Sequence, residues 1–283
     1  MSRFVAAVLQ MRTGRDVARN IDDLLGLAKD AAGQGARFLQ SPEMSNILER
    51  DRVQLFAAVR EESEDPMLAA IRDFARRCQV SFHIGSLAVK SGDKLANRGF
   101  LIDPEGEIVA RYGKLHLFDV DLPNGESWRE SATYTAGDCA VVAPAAGAMI
   151  GMGICYDLRF PALFHELAKA GSDILTAPAC FTRQTGEAHW QVLQRARAIE
   201  TGSFMISAAQ GGKHEDGRET YGHSIIIDPW GRVLAEAGDS PSVLLAEIDL
   251  QRVMDARSRI PTLKHTRAIT VTRPGLMAEQ AAE

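Results

Sequence analysis

Apolar residues occur along this chain in short continuous runs, and between the runs lie longer stretches with a single apolar face. The run Phe4–Leu9 predicts a buried strand, and Val17, Ile21, Leu24, Leu25 and Ala28 then recur at helical spacing. Gly33 and Gly35 interrupt that pattern before Ala36–Gln40, a second predicted strand, which runs into the polar stretch SPEMSN at 41–46. Glu43 therefore falls at a strand end. Asp65-Pro66 marks a helix start, because Asp supplies a capping acceptor and Pro has no N–H to lose in the first turn; Leu68, Ile71, Ala75 and Cys78 form the buried stripe. Predicted strands at Val80–Val89 and Arg98–Asp103 lead through the turn Asp103-Pro104-Glu105-Gly106 into Glu107–Ala110.

The same order returns in the second half. A predicted strand over Ala148–Ile154 precedes a helix over Pro161–Lys169, a strand over Asp173–Ala177, and a helix over Glu187–Glu200 with Trp190, Leu193, Ala196 and Ile199 on or near its buried stripe. Strands at Ser203–Ala209 and His223–Asp228 follow, and Leu250–Ala256 reads as a short helix. IDPEGEIVARYG at 102–113 parallels IDPWGRVLAEAG at 227–238, so the repetition includes the turn words. Two copies of a strand-helix-strand-helix-strand-hairpin unit predict an α/β fold whose sheets face each other beneath outer helices, four layers in all. A single domain over 1–272 with a flexible tail at 273–283 is the expected organisation. A doubly wound nucleotide fold is disfavoured, because no Gly-rich loop follows the first strand. The connection from Gly113 to Gly147 is long and polar at its centre, with a Gly/Pro-rich break at Ala143–Gly147, and loops of that length often build binding sites.

Composition narrows the partners more than the fold. The 283 residues include 46% hydrophobic side chains, enough for a substantial core, and their 32 basic and 37 acidic groups give a formal charge of -5. That balance supplies no electrostatic reason to bind nucleic acid or an anionic membrane; a small molecule is the expected partner. FVAAVLQ at 4–10 is too short for a signal core, and no apolar run has spanning length, so a cytoplasmic protein without export is expected. Cys78, Cys139, Cys155 and Cys180 are too far apart for a local zinc motif and fit reduced thiols better than disulfides.

Among them Cys155 stands out. In GMGICYDLRFP at 151–161 it follows an apolar run and precedes a proline-marked helix, a junction where backbone donors and a helix-end dipole favour thiolate; the alternative is a buried packing cysteine. Glu43 and Lys114 also sit at predicted strand exits, and with Cys155 they complete a set of proton acceptor, cation and nucleophile. No spacing motif joins the three, so the sequence leaves open whether they meet. Cys78 and Cys180 read as packing residues, Arg159 as a group that fixes Asp157 or shapes a pocket, and His116, His189 and His214 lack metal-ligand spacing. No GxSxG turn offers a serine nucleophile.

SPE at 41–43, GKLHLFD at 113–119 and GICYDLRFPAL at 153–163 resemble the nitrilase superfamily of carbon–nitrogen hydrolases. The resemblance continues through TGEAHWQVLQRARAIET at 185–201 and YGHSIIIDPWGRV at 221–233, and so covers nearly the whole chain. It implies a four-layer α-β-β-α sandwich, a homodimer and a Glu43, Lys114 and Cys155 triad, with Glu126 matched to a further family glutamate. Ser41 departs from the apolar residue usual before Pro-Glu, and Cys180 stands where many relatives carry a small residue without a thiol.

On this resemblance Glu43 takes the Cys155 proton as sulfur attacks an amide carbonyl, and Lys114 with the Tyr156 N–H offsets charge on the oxygen. The amine leaves, a thioester remains, and water activated by Glu43 releases the acid; these steps require no metal or cofactor. The second-half motifs resemble the branch that cleaves deaminated glutathione to 2-oxoglutarate and cysteinylglycine. An omega-amidase acting on 2-oxo dicarboxylic acid monoamides is the enzymatic alternative, and a noncatalytic interaction module the alternative of another class. Either substrate bears carboxylates, for which Lys213, His214 and Arg218 are candidate ligands on a polar loop.

Overall fold

The structure, a computed structural model, describes residues 3–123 and 125–272; the expected tail at 273–283 lies outside the described residues. Its first strand, Arg3–Gln10, shows how the layers arise from alternation. Phe4, Ala6 and Val8 join one apolar cluster with residues of the second half, whereas Ala7 and Leu9 pack with Leu24 and Ala28 from one helix and Ile71 and Phe74 from another. One face thus meets the opposing sheet and the other meets helices. These helices are α1 (Val17–Gly33) and α3 (Pro66–Cys78); between them α2 (Arg52–Ala58) adds a short turn of chain near the strand ends. In the second half α4 (Pro161–Lys169) and α5 (Arg183–Thr201) connect strands in the same manner, and α6 (Gln251–Arg259) closes the described chain's helices.

The first sheet runs in the order Ser242–Asp249, Arg3–Gln10, Ala36–Gln40, Ser81–Ser91, Lys94–Ile102, Ile108–Gly113, with Tyr134–Thr135 paired beside Lys94–Ile102. The second runs Val141–Ala145, Ala148–Met152, Ile174–Thr176, Phe204–Ser207, Ile225–Ile227, Val233–Glu236. Both place three parallel strands between antiparallel flanks, and together with the outer helices they form the α-β-β-α sandwich. The repeated turns agree atom for atom: Asp103 Oδ1 accepts from the N–H groups of Glu105 and Glu107, and Asp228 Oδ1 from those of Trp230 and Arg232. Gly106 and Gly231 close them at φ of +79° and +82°, a conformation that penalises a Cβ.

Two elements depart from the sequence pattern. Ala143–Gly147 is not a break: Val141–Ala145 pairs antiparallel with Ala148–Met152 across a two-residue turn, Ala146 and Gly147, both at positive φ. Ser242–Asp249, not singled out from its sequence, pairs with Arg3–Gln10 along its whole length, from Arg3 against Asp249 to Gln10 against Ser242. The long connection after Gly113 first folds into the hairpin Asp119–Asp121 with Ser127–Arg129, whose Trp128 and Arg129 line the same cavity as Glu43 and Cys155.

Candidate active site

Cys155 begins a 3-10 turn, Cys155–Arg159, just beyond the strand Ala148–Met152, and its φ is +50°. A side chain in that region costs about 1–2 kcal/mol, so the surrounding bonds must hold it. The Cys155 N–H donates to Pro178 O at 2.9 Å. Buried Asp157 does more: its Oδ2 accepts from Ile154 N at 2.9 Å and from the Tyr112 hydroxyl at 2.7 Å, while Oδ1 accepts from the His116 N–H at 3.0 Å and meets its Nδ1 at 2.7 Å. Asp157 therefore ties the Cys155 turn to the chain on both sides of Lys114. His116 stacks on Phe160, ring centroids 3.5 Å apart, and tightens the same junction.

Glu43 reaches the turn from the first half. Beyond the strand Ala36–Gln40, Ser41 N donates to His83 O, Ser86 N to Pro42 O, and Met44 N to the Ser86 hydroxyl, which lash the loop to the neighbouring strand. Gly85 is required at that approach: a Cβ there would stand 2.2 Å from Ser41 O and 2.6 Å from the Pro178 Cβ. Glu43 Oε1 accepts from Lys114 Nζ and Asn97 Nδ2, each at 2.8 Å, and Oε2 accepts from Cys180 N at 2.8 Å. The Cys155 thiol lies near enough to this carboxylate to feel its charge. Glu43, Lys114 and Cys155 are respectively 3%, 2% and 7% exposed, so their charges interact with little water between them.

Lys114 is shared by two acids. Its ammonium donates to Glu130 Oε2 at 2.8 Å and Oε1 at 3.1 Å, and Asn97 Nδ2 bridges to Glu130 Oε1 at 3.1 Å. Phe118 N–H, at 2.7 Å, fixes the Glu130 carboxylate from the other side. Burial disfavours the charged forms of both Glu43 and Lys114, but their attraction prevails: Glu43 is held below the usual carboxylate range, and Lys114, facing Glu130 as well, well above the usual lysine value. Cys155 moves the other way. Burial and the negative charge of Glu43 push its thiol well above the ordinary value, outweighing Lys114. The junction therefore does not favour a resting thiolate; it sets a neutral thiol against an ionised carboxylate.

A family model described as carbon-nitrogen hydrolase matches residues 5–258 of this chain. The chain belongs to the carbon–nitrogen hydrolase family. Deaminated glutathione amidase from Synechocystis is 39% identical over 273 residues, which cover 94% of this chain and 98% of that protein. An omega-amidase from Danio rerio is 34% identical over 94% of this chain and 96% of its own. In the NitFhit protein of C. elegans the fold recurs with a TM-score of 0.89 and 32% identity, over 94% of this chain and 66% of that longer one. These relationships identify the chain as a cysteine hydrolase of carbon–nitrogen amide bonds rather than a noncatalytic module.

The hydrolase opens Cys155 to solvent through a cavity of about 250 Å³. Glu43, Glu130, Tyr156 and Cys180 share its floor, and Phe118, Trp128 and α2 contribute walls. Several sequence expectations are corrected here. Glu126 lines the mouth, where its Oε2 accepts from the Trp128 indole at 3.3 Å; the second carboxylate on Lys114, beside Glu43, is Glu130, because the Ser127–Arg129 strand carries Glu126 outward and Glu130 begins the turn that returns. His214 is not available to a ligand: it is buried, with Nδ1 at 2.9 Å from Thr13 O and Nε2 at 2.7 Å from the Thr220 hydroxyl. Lys213 lies with it in a separate surface depression beside Arg12 and Asp16. Arg218 does line the cavity, but buried Asp216 already accepts from its Nε at 2.6 Å.

Arg159 does not fix Asp157. Its guanidinium lies over the Phe181 ring at 5.1 Å and contacts His189 Nδ1 at 3.0 Å, and burial draws its pKa down with no carboxylate opposing the shift. Cys78 is exposed at the end of α3, whereas Cys180 lines the cavity and supplies the N–H that holds Glu43. Burial pushes the Cys180 thiol up to about 12, so it stays protonated in the same cavity as Cys155. Among the described residues, no helix is long and apolar enough to cross a membrane, and no three His, Cys, Asp or Glu side chains form a group that could hold a metal.

Proposed function

We propose that the enzyme hydrolyses deaminated glutathione to 2-oxoglutarate and cysteinylglycine, with Cys155 as nucleophile, Glu43 as general base and acid, and Lys114 as the electrostatic partner of the carbonyl oxygen. The observation that carries this reading is the desolvated Glu43–Lys114–Cys155 cluster opening into a cavity whose half-buried Arg159 is in no ion pair among the described residues. Glu43 removes the thiol proton as sulfur bonds to the amide carbon. Negative charge gathers on the carbonyl oxygen, facing Lys114, whose longest contact, 3.1 Å to Glu130 Oε1, is the one to yield, and the N–H of Tyr156, the residue after the nucleophile. The proton then passes from Glu43 to the leaving nitrogen, the C–N bond breaks, and cysteinylglycine departs from a Cys155 thioester. Glu43 next takes a proton from water, hydroxide adds to the thioester carbon, and collapse releases 2-oxoglutarate with the proton returned to sulfur. Glu130, rather than Glu126, positions the Lys114 ammonium.

Arg159 stands on the nucleophile's own turn, where a guanidinium matches the 2-oxo acid carboxylate of an acyl group bound to Cys155. This carboxylate is common to deaminated glutathione and to the 2-oxo monoamides cleaved by omega-amidases. The test is a panel of both substrates, an aliphatic nitrile and an N-carbamoyl amino acid, with products identified by mass. Preferential release of cysteinylglycine is expected; preference for the monoamide overturns the substrate assignment, and turnover by Cys155→Ala overturns the mechanism. As for assembly, we propose a homodimer that covers exposed Ile199, Trp230 and Met254, which light scattering would register as twice the chain mass.

A further inference from the structure

The cavity holds more cationic side chains than one carboxylate needs; two of its arginines are already neutralised, and Arg52 lies over the Phe56 ring at 5.2 Å. Arg218 is paired with Asp216, and Arg129 with Asp121 through two bonds of 2.9 Å. Arg50 differs. It is exposed at the cavity mouth, its guanidinium carbon lies 4.7 Å from the centre of the Trp128 ring, and it enters no ion pair among the described residues. The acids beside it in sequence are engaged elsewhere: Glu49 with Arg15 at 2.8 Å, and Asp51 as the N-cap of α2. Glu126, at the same mouth, accepts from the edge of the Trp128 indole.

An aromatic wall connects this cation to the nucleophile. Tyr156 meets Phe118 at 5.1 Å between ring centroids, and Phe118 meets Trp128 at 6.4 Å, so the wall starts at the residue after Cys155 and ends beneath Arg50. The acyl half must stay beside Cys155 as the thioester, near Arg159, whereas the departing amine leaves toward the mouth. We infer that Arg50, seated on Trp128, is the subsite for the terminal carboxylate of a peptide leaving group, and so the specificity residue that separates a peptide amide from a simple monoamide. This rests on the deaminated glutathione reading and names the leaving-group side of the same site.

The experiment uses three amides with one acyl part, 2-oxoglutaryl, and different leaving amines: cysteinylglycine, cysteinylglycinamide and ammonia. The wild-type kcat/KM for the free acid is expected to exceed that for the glycinamide roughly tenfold, the effect of one charge-assisted hydrogen bond. Arg50→Gln should bring that ratio to about one through KM, and Arg50→Lys should restore part of it. Thermal unfolding of each variant confirms that the exposed substitution leaves the fold intact. A wild type that cleaves acid and amide equally, or an Arg50→Gln ratio still near ten, overturns the subsite while the substrate assignment stands. Cleavage of the ammonia amide alone overturns the substrate assignment and the subsite together.

Discussion

Replacing Glu130 by Gln tests the site's electrostatics, because the amide keeps nearly the same volume but removes the second negative charge from Lys114. The ammonium now donates to Glu130 at 2.8 and 3.1 Å and to Glu43 at 2.8 Å, all inside a site where Lys114 is 2% exposed. A charge-assisted hydrogen bond contributes about 1.5–3 kcal/mol, and the glutamine retains only one acceptor while turning an NH₂ toward the cation or toward the Phe118 N–H. A loss of about 2–4 kcal/mol in holding Lys114 where the carbonyl oxygen develops charge lowers kcat/KM roughly 30- to 1000-fold. Glu126→Gln should change it less than about threefold, since an exposed 3.3 Å contact to an indole carries little energy. Steady-state kinetics with the preferred amide, alongside urea unfolding to separate misfolding from misplacement, decides the matter. Equal effects of the two substitutions, or a Glu130→Gln enzyme within threefold of wild type, would refute the reasoning.

Gly85→Ala should cost about 1–3 kcal/mol of stability and at least tenfold in turnover, because its Cβ would press on Ser41 O and on Pro178, which hold the loops of Glu43 and Cys155; an enzyme with unchanged activity and urea midpoint contradicts this. The pH profile of kcat/KM should be flat from about 6 to 8.5: Glu43, held below its usual range, is already ionised and is lost as a base only on acidification below that range, while the Cys155 and Lys114 values lie above the window. A titrating limb inside the window would point to a resting thiolate instead. Buried His83, pushed down to about 3, makes folding sensitive to acid: both states are neutral above an unfolded value of 6.5, and between the two values only the unfolded chain takes the proton. Stability therefore falls by about 1.4 kcal/mol per pH unit below 6.5, and His83→Asn, which retains an acceptor for Gln40 Nε2, should flatten that slope in urea titrations from pH 7 to 5.

Local chemistry made much of the fold legible. Asp65 before Pro66 caps α3 as its residue types require, its carboxylate accepting from the Leu68 N–H at 2.9 Å, and the two Asp-Pro-x-Gly turns form the same side-chain bonds. Ser242–Asp249 was less readable, since its polar and apolar positions acquire meaning only against Arg3–Gln10 at the opposite end of the chain. Glu126 and Glu130 show the same limit within the site. Four positions apart in a segment without regular periodicity, they could be told apart only once the hairpin at Asp119–Asp121 and Ser127–Arg129 fixed which one points inward.

The sequence by itself determined the residue types, the two-fold repetition of elements and the placement of Glu43, Lys114 and Cys155 at strand ends, because capping, turn chemistry and hydrophobic spacing act over a few residues. Tertiary structure decided their protonation. Cys155 at a strand-to-helix junction suggested a thiolate, but the fold buries it against the Glu43 charge, and desolvation with like-charge repulsion exceeds any local dipole. It also decided which cations remain unneutralised, since Arg218 meets Asp216 whereas Arg159 and Arg50 face the cavity without an acid partner among the described residues. Charge in a low-dielectric site depends on distances that only the packed chain sets.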